Sequence, residues 1–175
     1  NSRIFITGGT GFIGNWLIQS VQRANDALGS QIELVILTRD AQNALARHPR
    51  ILSRSDIQLI EGDIASFDEP PGPLDLCIHA ATDVVTSVNT SNALQHFDSI
   101  VNGTRRVLDV SAKKGVTRFL LTSSGAVYGP QPVDLPLIAE DYMGAPSTQQ
   151  LATAYGNGKR AAEWLTCAFS AQGRM

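Results

Sequence analysis

The sequence has few cysteines, few aromatic residues and no long hydrophobic run. Its 175 residues include 2 cysteines, and Phe, Trp and Tyr make up 6%. Cys77 and Cys167 lie among apolar neighbours without metal-ligand spacing, so we expect two reduced core thiols. No apolar run approaches the ~20 residues of a membrane-spanning helix. The sequence therefore predicts a cytoplasmic protein without a membrane partner.

Charge of either sign is sparse and dispersed. The chain has 14 Lys and Arg against 16 Asp and Glu, with a formal net charge of -2. No basic stripe of the kind that binds nucleic acid is present, so no nucleic-acid partner is expected. The three histidines, His48, His79 and His96, form no ligand cluster, and no metal site is predicted. His79 ends an apolar run and is expected to be a hydrogen-bonded structural residue.

Strand-like and helix-like patterns alternate from one end of the chain to the other. With 43% hydrophobic residues and no internal boundary, residues 1–175 are predicted to form one domain around one core. The predicted strands are Arg3–Thr7, Ile32–Leu37, Ile57–Glu61, Leu74–His79 and Arg118–Ser123. The predicted helices are Phe12–Leu28, Ala41–Arg47, Asn92–Lys114 and a last one from about Gln149 to Ala171.

This alternation predicts an α/β fold of the Rossmann type, a doubly wound parallel sheet with helices on both faces. Ligands of such folds bind beyond the carboxyl ends of the strands, where the strand order reverses. The residues that follow the predicted strands are therefore expected to line one crevice: Gly8, Arg39, Asp63, Ala80, Ser123 and Ser124.

A glycine pattern connects the first strand to the first helix. Gly8, Gly11 and Gly14 permit a tight turn, close backbone approach to a phosphate and close helix packing. The helix that begins there directs its N-terminus at the anion. The sequence thus predicts that Gly8, Thr10, Gly11, Phe12, Ile13 and Gly14 bind the pyrophosphate of a dinucleotide. The alternative is a structural glycine turn.

A phenol and an ammonium lie four residues apart in the last predicted helix. Tyr155 and Lys159 share one helix face, so the ammonium can favour the ionised phenol and make it a general base. Ser124, after the fifth strand, is placed to orient the same substrate oxygen. The three residues are predicted to act together on a substrate hydroxyl. In isolation, the simpler interpretation would be two surface side chains.

Several motifs in this order resemble the extended short-chain dehydrogenase/reductase family, in its sugar-nucleotide epimerase/dehydratase branch. They are the G-x-x-G-x-x-G turn, Gly62-Asp63-Ile64, His79-Ala80-Ala81, Ser123-Ser124-Gly125-Ala126-Val127-Tyr128-Gly129, and Tyr155 with Lys159. The resemblance implies that the chain is the N-terminal part of a longer enzyme, whose substrate region is absent here. It also implies a homodimer that pairs the helices of residues 92–114 and 149–171.

The resemblance assigns roles to individual residues. Asp63 and Ile64 are implied near the adenine, Ala80, Ala81 and Thr122 along the cofactor, and Lys159 on the nicotinamide ribose. The implied catalytic residues are Ser124, Tyr155 and Lys159.

Arg39 bears on which dinucleotide is bound. NAD-preferring relatives end the second strand with an acidic side chain that binds the ribose, whereas an Arg can accommodate a 2′-phosphate. We therefore expect NADP rather than NAD, although the adjacent Asp40 could still reach the ribose. Arg39 could alternatively stack on the adenine or face solvent.

Two departures from the family pattern limit the reaction. The asparagine expected three residues before Gly103 is Ile100, so a polar contact near the catalytic residues is absent. The Asp-Glu pair that dehydratases place after the catalytic hydroxyl is Gly125-Ala126, which removes the acid and base for dehydration.

The predicted function is that of an NAD(P)-dependent epimerase that acts on a nucleotide sugar by reversible hydride transfer. The isolated 175 residues are expected to turn over poorly. Two alternatives remain: an NADP-dependent reductase of the flavanone-alcohol type, and a module that binds dinucleotide without catalysis.

Overall fold

The predicted doubly wound architecture is confirmed in a computed structural model, which describes residues 2–82 and 91–174. Five parallel strands form one sheet, β1 (Arg3–Thr7), β2 (Glu33–Thr38), β3 (Ile57–Glu61), β4 (Leu76–His79) and β5 (Arg118–Leu121). The helices are α1 (Phe12–Leu28), α2 (Ala41–Arg47), α3 (Pro49–Leu52), α4 (Ala93–Lys113) and α5 (Ala154–Ala171). Two 3-10 turns cover Gly125–Tyr128 and Leu151–Thr153.

The sheet order is β3-β2-β1-β4-β5, so the direction of winding reverses between β1 and β4. Side chains of β1 alternate between two hydrophobic clusters, one on each face of the sheet. Phe5 packs with Val107 and Val110 of α4 on one face. Ile4 and Ile6 pack with residues of α1 and α2 on the other. The reversal leaves a crevice at the carboxyl ends of β1 and β4.

The first helix begins and ends where the sequence predicts. Gly11 is the extended N-cap residue of α1, and Gly29 closes the helix with a left-handed φ of 66°. A glycine takes that conformation without steric penalty, so it is a common helix terminator. α2 also has the predicted bounds because the Asp40 side chain accepts a hydrogen bond from the Asn43 N–H at its start.

Strands β4 and β5 are each two residues shorter than predicted. β4 begins at Leu76, because the Leu74 N–H donates instead to the Lys114 carbonyl at the end of α4. β5 ends at Leu121, and Ser124 caps a 3-10 turn three residues further along. The end of β5 is therefore three residues before Ser124, where the sequence predicts one.

The last helix begins at Ala154 rather than near Gln149. Polar side chains around the start of this helix bond to the preceding backbone, which offers that backbone an alternative to helical hydrogen bonds. The Thr153 hydroxyl donates to the Ser147 carbonyl at 2.5 Å, and the Asn157 amide donates to the same oxygen at 3.0 Å. These bonds hold residues 147–153 as a turn that directs α5.

The two cysteines differ in environment. Cys77 is buried in the core, as predicted, and its burial raises the pKa of the thiol to about 12. Cys167 is exposed on α5, so the prediction of a second core thiol is wrong. Residue 167 follows the exposed Trp164 by three positions, so the two lie on the same face of α5.

Candidate functional site

A cleft of about 230 Å³ opens at the point where the strand order reverses. Residues from the carboxyl ends of four strands meet there, together with residues of α4. Eight residues predicted to bind cofactor line it: Gly8, Thr10, Gly11, Arg39, Asp63, Ile64, Ala80 and Ala81. The crevice expected from the sequence thus exists, and its lining residues lie between Gly8 and Ile100, which are 92 positions apart in the chain.

The glycine turn leaves no room for side chains at two of its positions. Gly8 has a φ of 73°, and a Cβ there would lie 2.6 Å from the carbonyl carbon and oxygen of Ala80. A Cβ on Gly14 would meet the Gly8 oxygen and the backbone of Gly9. The first turn of α1 therefore packs directly on the end of β1 and on the residues that follow β4.

The N-terminus of α1 suits a phosphate. The helix has no side-chain cap and no acidic residue in its first turn, so its first N–H groups are left to an anion. Phe12 and Ile13, the first two residues of this helix, are 82% and 61% exposed. A glycine-walled turn under an uncapped helix fits the pyrophosphate of a dinucleotide.

A buried hydrogen-bond network holds the ends of β1 and β4 together. The Ala81 N–H donates to Thr7 Oγ1 at 3.2 Å, and the same hydroxyl lies 2.6 Å from His79 Nδ1. The other ring nitrogen, Nε2, lies 3.1 Å from the Thr104 hydroxyl of α4. Burial lowers the pKa of His79 to about 3, with a further contribution from the charge of Lys159. The predicted structural role of His79 is confirmed.

Arg39 and Asp63 line the part of the cleft formed by the ends of β2 and β3, where the sequence predicts the adenosine half of a dinucleotide. Arg39 lines the cleft, and its neighbour Asp40 does not. The Asp40 carboxylate instead accepts the Asn43 N–H at 2.8 Å and caps α2. Asp63 accepts the Ala65 N–H at 2.9 Å, which fixes the turn after β3. The acidic side chain that could have bound a ribose is therefore engaged in capping a helix.

Lys159 is the most deeply buried cation among the described residues, with a relative exposure of 3%. Its ammonium donates to Thr82 Oγ1 at 2.6 Å and to the Thr122 carbonyl at 2.9 Å. Burial lowers the pKa of Lys159, and the nearby Glu163 partly opposes this shift. Thr122 thus reaches the site through its carbonyl, which bonds to the predicted catalytic lysine.

The Tyr155 ring lies beside this ammonium. Lys159 Nζ is 6.0 Å from the ring centroid, as expected for residues one helical turn apart. The other side chain that holds the ring is His96 of α4, which stacks on it at 5.8 Å between centroids and 20° between planes. Tyr155 is therefore oriented by two neighbouring side chains and remains half-buried.

Ser124 lies outside the set of residues that line the cleft. Its Oγ accepts the Ala126 N–H at 3.2 Å and caps the 3-10 turn that follows β5. That turn packs on the start of α5, where a Cβ at Gly156 would lie 2.7 Å from the Ala126 oxygen. Ser123 is likewise not a lining residue. Of the strand ends expected to line one crevice, the end of β5 therefore contributes no lining residue to this cleft.

Six further residues line the cleft that the sequence did not single out as binding residues. They are Leu37, Thr38, Gly62, Thr82, Ser99 and Ile100. Thr82 directly follows Ala80 and Ala81. Its position soon after the end of β4 is the feature of the sequence that could have predicted it as a residue of the cleft. Ile100 packs against α5, since a Cβ on Gly158 would be 3.2 Å from its side chain. The asparagine that the family pattern expects there is replaced by an apolar contact.

The described residues contain neither a membrane-spanning helix nor a group of side chains that could bind a metal ion. No helix within residues 2–82 and 91–174 has the length and apolar character needed to cross a membrane. In that part of the chain, no group of three His, Cys, Asp or Glu side chains could hold a metal ion.

Comparison with known proteins gives concordant matches. The model of the NAD dependent epimerase/dehydratase family matches residues 4–175. A UDP-glucose 4-epimerase of Klebsiella pneumoniae is 27% identical over 139 residues, which are 74% of this chain and 94% of that protein. UDP-glucuronic acid decarboxylase 2 of Arabidopsis thaliana is 29% identical over 94% of this chain and 34% of its own length.

Solved structures show the same fold. UDP-glucuronic acid 4-epimerase from Bacillus cereus, in complex with UDP-glucuronic acid and NAD, superposes with a TM-score of 0.76 at 20% identity. The match covers 95% of this chain and 52% of that one. The UDP-Glc/GlcNAc 4-epimerase of Campylobacter jejuni has a TM-score of 0.75 at 22% identity, over 99% and 51% of the two chains. The chain therefore spans about half the length of these structures.

Proposed function

Because the chain belongs to the NAD dependent epimerase/dehydratase family, we propose that it is the cofactor-binding part of an epimerase that acts on a nucleotide sugar. The observation that carries this proposal is the buried Lys159, held at the rim of a glycine-walled cleft and 6.0 Å from the Tyr155 ring. Burying a cation costs free energy, and buried ionisable groups beside a cleft are typical of functional sites.

The residues of the cleft fit a nicotinamide dinucleotide. The N–H groups that begin α1 would hold the pyrophosphate, and Gly8 and Gly14 permit the close backbone packing that presents them, since a Cβ at either position would meet backbone atoms. Asp63 and Ile64 would contact the adenosine, and Ala80 with Ala81 the middle of the ligand. When bound, the dinucleotide supplies a reversible hydride acceptor at its nicotinamide ring.

The chain's own residues would manage the proton of the substrate hydroxyl. Tyr155, beside the Lys159 ammonium, would take the proton of a sugar carbinol, while the Ser124 hydroxyl would bond to the same oxygen. The epimer would form when the keto sugar turns its opposite face to the nicotinamide, which would return the hydride to carbon while Tyr155 gives the proton back to the oxygen. Gly125 and Ala126 supply no carboxylate next to Ser124, so elimination of water is not part of this proposal.

NADP is the proposed dinucleotide, on the evidence of Arg39 and Asp40. Arg39 lines the cleft, and the Asp40 carboxylate is bonded to the start of α2. A guanidinium can bind a 2′-phosphate through charge-assisted hydrogen bonds, whereas NAD binding would need an acidic acceptor there. The Bacillus cereus structure was solved with NAD, so the proposal distinguishes this chain from that relative.

An Arg39→Ala substitution tests this assignment. Loss of hydrogen bonds to a charged phosphate is expected to weaken NADP binding about 10- to 100-fold and to leave NAD binding within about twofold. Calorimetric titration of both dinucleotides measures the two affinities. Arg47→Ala, which changes an exposed arginine of α2 outside the cleft, is the matched control. Tighter binding of NAD than NADP by the unsubstituted chain would contradict the proposal.

The substrate class is proposed from the relatives, whose names include UDP-glucose and UDP-glucuronic acid enzymes. The test is incubation with UDP-sugars and a known amount of dinucleotide, followed by analysis of the sugars and of the cofactor redox state. An epimerase forms the second epimer without net consumption of reduced cofactor. A reductase of the flavanone-alcohol type, which Arg39 also favours, consumes NADPH with a carbonyl substrate.

A homodimer through α4 and α5 is also proposed. These two helices pack on each other, and each carries a large exposed apolar side chain, Leu94 at 76% and Trp164 at 69% exposure. Covering such side chains favours self-association. Sedimentation should give twice the chain mass of 18.8 kDa, and a monomer at all concentrations would contradict the dimer. We propose a cytoplasmic location for the same molecule.

A further inference from the structure

The direction of the hydrogen bond between Lys159 and Thr82 is fixed by chemistry. An ammonium has only donors, so Thr82 Oγ1 accepts the bond at 2.6 Å. The Thr82 proton is directed elsewhere, to the Ala81 carbonyl at 2.8 Å. A hydroxyl that donates to a carbonyl becomes a better acceptor for a cation. Thr82 is thus oriented to receive the ammonium.

On α4, the residue that lines the cleft near Lys159 has no polar side chain. Ile100 lines the cleft from α4 and packs against α5 at Gly158, next to Lys159. An isoleucine gives no hydrogen bond where the family pattern has an asparagine. Within residues 2–82 and 91–174, the hydrogen-bond partners of the Lys159 ammonium come from the segments that follow β4 and β5, through the Thr82 hydroxyl and the Thr122 carbonyl.

We propose that Thr82, which lines the cleft, is a positioning residue that holds the Lys159 ammonium beside the cleft before ligand binds and replaces the polar contact that Ile100 cannot provide. This role rests on the proposed function, in which Lys159 faces the cofactor and Tyr155. The two protein acceptors engage two N–H groups of the ammonium, and a ligand hydroxyl is the kind of acceptor that the third would take.

The charges around Lys159 set the sign of the expected effect. The described titratable groups that face it are His79 from β4, and Tyr155 and Glu163 from α5. His79 is neutral above about pH 3. A hydrogen bond to the charged form of Lys159 favours that form, so removal of the Thr82 hydroxyl lowers the pKa of the ammonium.

The composition makes this pKa directly measurable. The chain has three lysines, Lys113, Lys114 and Lys159, and the first two pair with Glu69 at the surface. In protein labelled with ¹³C at the lysine ε-carbon, NMR gives three side-chain signals, and Lys159→Arg assigns the buried one. The two surface lysines serve as internal controls in every sample.

Thr82→Val removes the hydroxyl at nearly constant volume. We expect the pKa of Lys159 to fall by about one unit in the ligand-free protein and to return to its original value in Thr82→Ser. An unchanged Lys159 signal in folded Thr82→Val would overturn the proposal, as would a serine variant that behaves like valine. If the valine variant does not fold, Thr82→Ala against Thr82→Ser makes the same comparison.

Ligand binding separates positioning from general structural support. Thr82→Val should weaken NADP binding about tenfold, since it loosens the lysine at the nicotinamide end. It should not change the affinity for 2′-phospho-AMP, which occupies only the adenosine end. Equal losses for both ligands would overturn the positioning role. A Thr82-dependent shift at Lys159 without any dinucleotide binding would instead contradict the proposed function, so the two failures are distinguishable.

Discussion

Replacing Tyr155 with phenylalanine is expected to slow oxidation of a nucleotide-sugar carbinol about 10²- to 10⁴-fold, the range that general acid-base catalysis contributes. The substitution removes only the hydroxyl. The ring keeps its stack on His96 and its place beside Lys159. Cofactor affinity should therefore stay within about twofold, because the lost group acts on the substrate proton.

Single-turnover reduction of bound dinucleotide by a UDP-sugar, followed by nicotinamide absorbance, measures this effect. Tyr142→Phe is the matched control, since it removes a phenolic hydroxyl from a half-buried tyrosine that packs on Tyr128 in the preceding loop. It should react like the unsubstituted protein. A Tyr155→Phe protein with undiminished rate would contradict the assignment of the base.

A Gly14→Ala substitution is expected to destabilise the fold and abolish dinucleotide binding. Alanine at an ordinary helix position is more stable than glycine by about 1 kcal/mol. At Gly14 the added Cβ would meet the Gly8 oxygen and lie 2.5 Å from the Gly9 Cα. These atoms are backbone and can move only if α1 shifts away from β1. The expected loss is about 2–4 kcal/mol of unfolding free energy, with dinucleotide affinity reduced by more than about 100-fold.

Urea unfolding and calorimetric titration measure the two consequences of that shift. Gly125→Ala is the control, because a Cβ at Gly125 has no atom within 4 Å and its backbone is not left-handed. This variant should retain both stability and dinucleotide affinity. If the Gly14→Ala protein had the stability or the dinucleotide affinity of the Gly125→Ala protein, close packing at Gly14 would not be required for the fold or for binding.

Local signals explain which parts of the fold the sequence could predict. α1 runs from Phe12 to Leu28 as expected, because Gly11 and Gly29 mark its ends. α2 is bounded by the Asp40 cap and by the proline at position 49. The ends of β1, β3 and β4 also follow from apolar runs, so most of the cleft could be predicted from residues that come soon after a strand.

Contacts between distant segments explain what the sequence could not predict. The Asp40 carboxylate was a candidate ribose ligand, but only the backbone geometry shows that it caps α2. The bond between Thr82 and Lys159 joins residues 77 positions apart. The separation of Ser124 from the cleft depends on where β5 ends against its partner strand. Such contacts depend on how helices, strands and loops pack together, and the spacing of apolar residues along the sequence does not reveal this packing.

Transfer of deuterium from a UDP-sugar to the bound nicotinamide tests the central claim most directly. The sugar carries deuterium on the carbinol carbon, and the cofactor is released and weighed by mass spectrometry. The proposed roles of Tyr155, Lys159 and Ser124 predict one deuterium per reduced cofactor, and transfer about 10²- to 10⁴-fold slower in the Tyr155→Phe protein. Cofactor that binds in the cleft yet gains no deuterium from any UDP-sugar would contradict the catalytic account and favour a module that only binds dinucleotide.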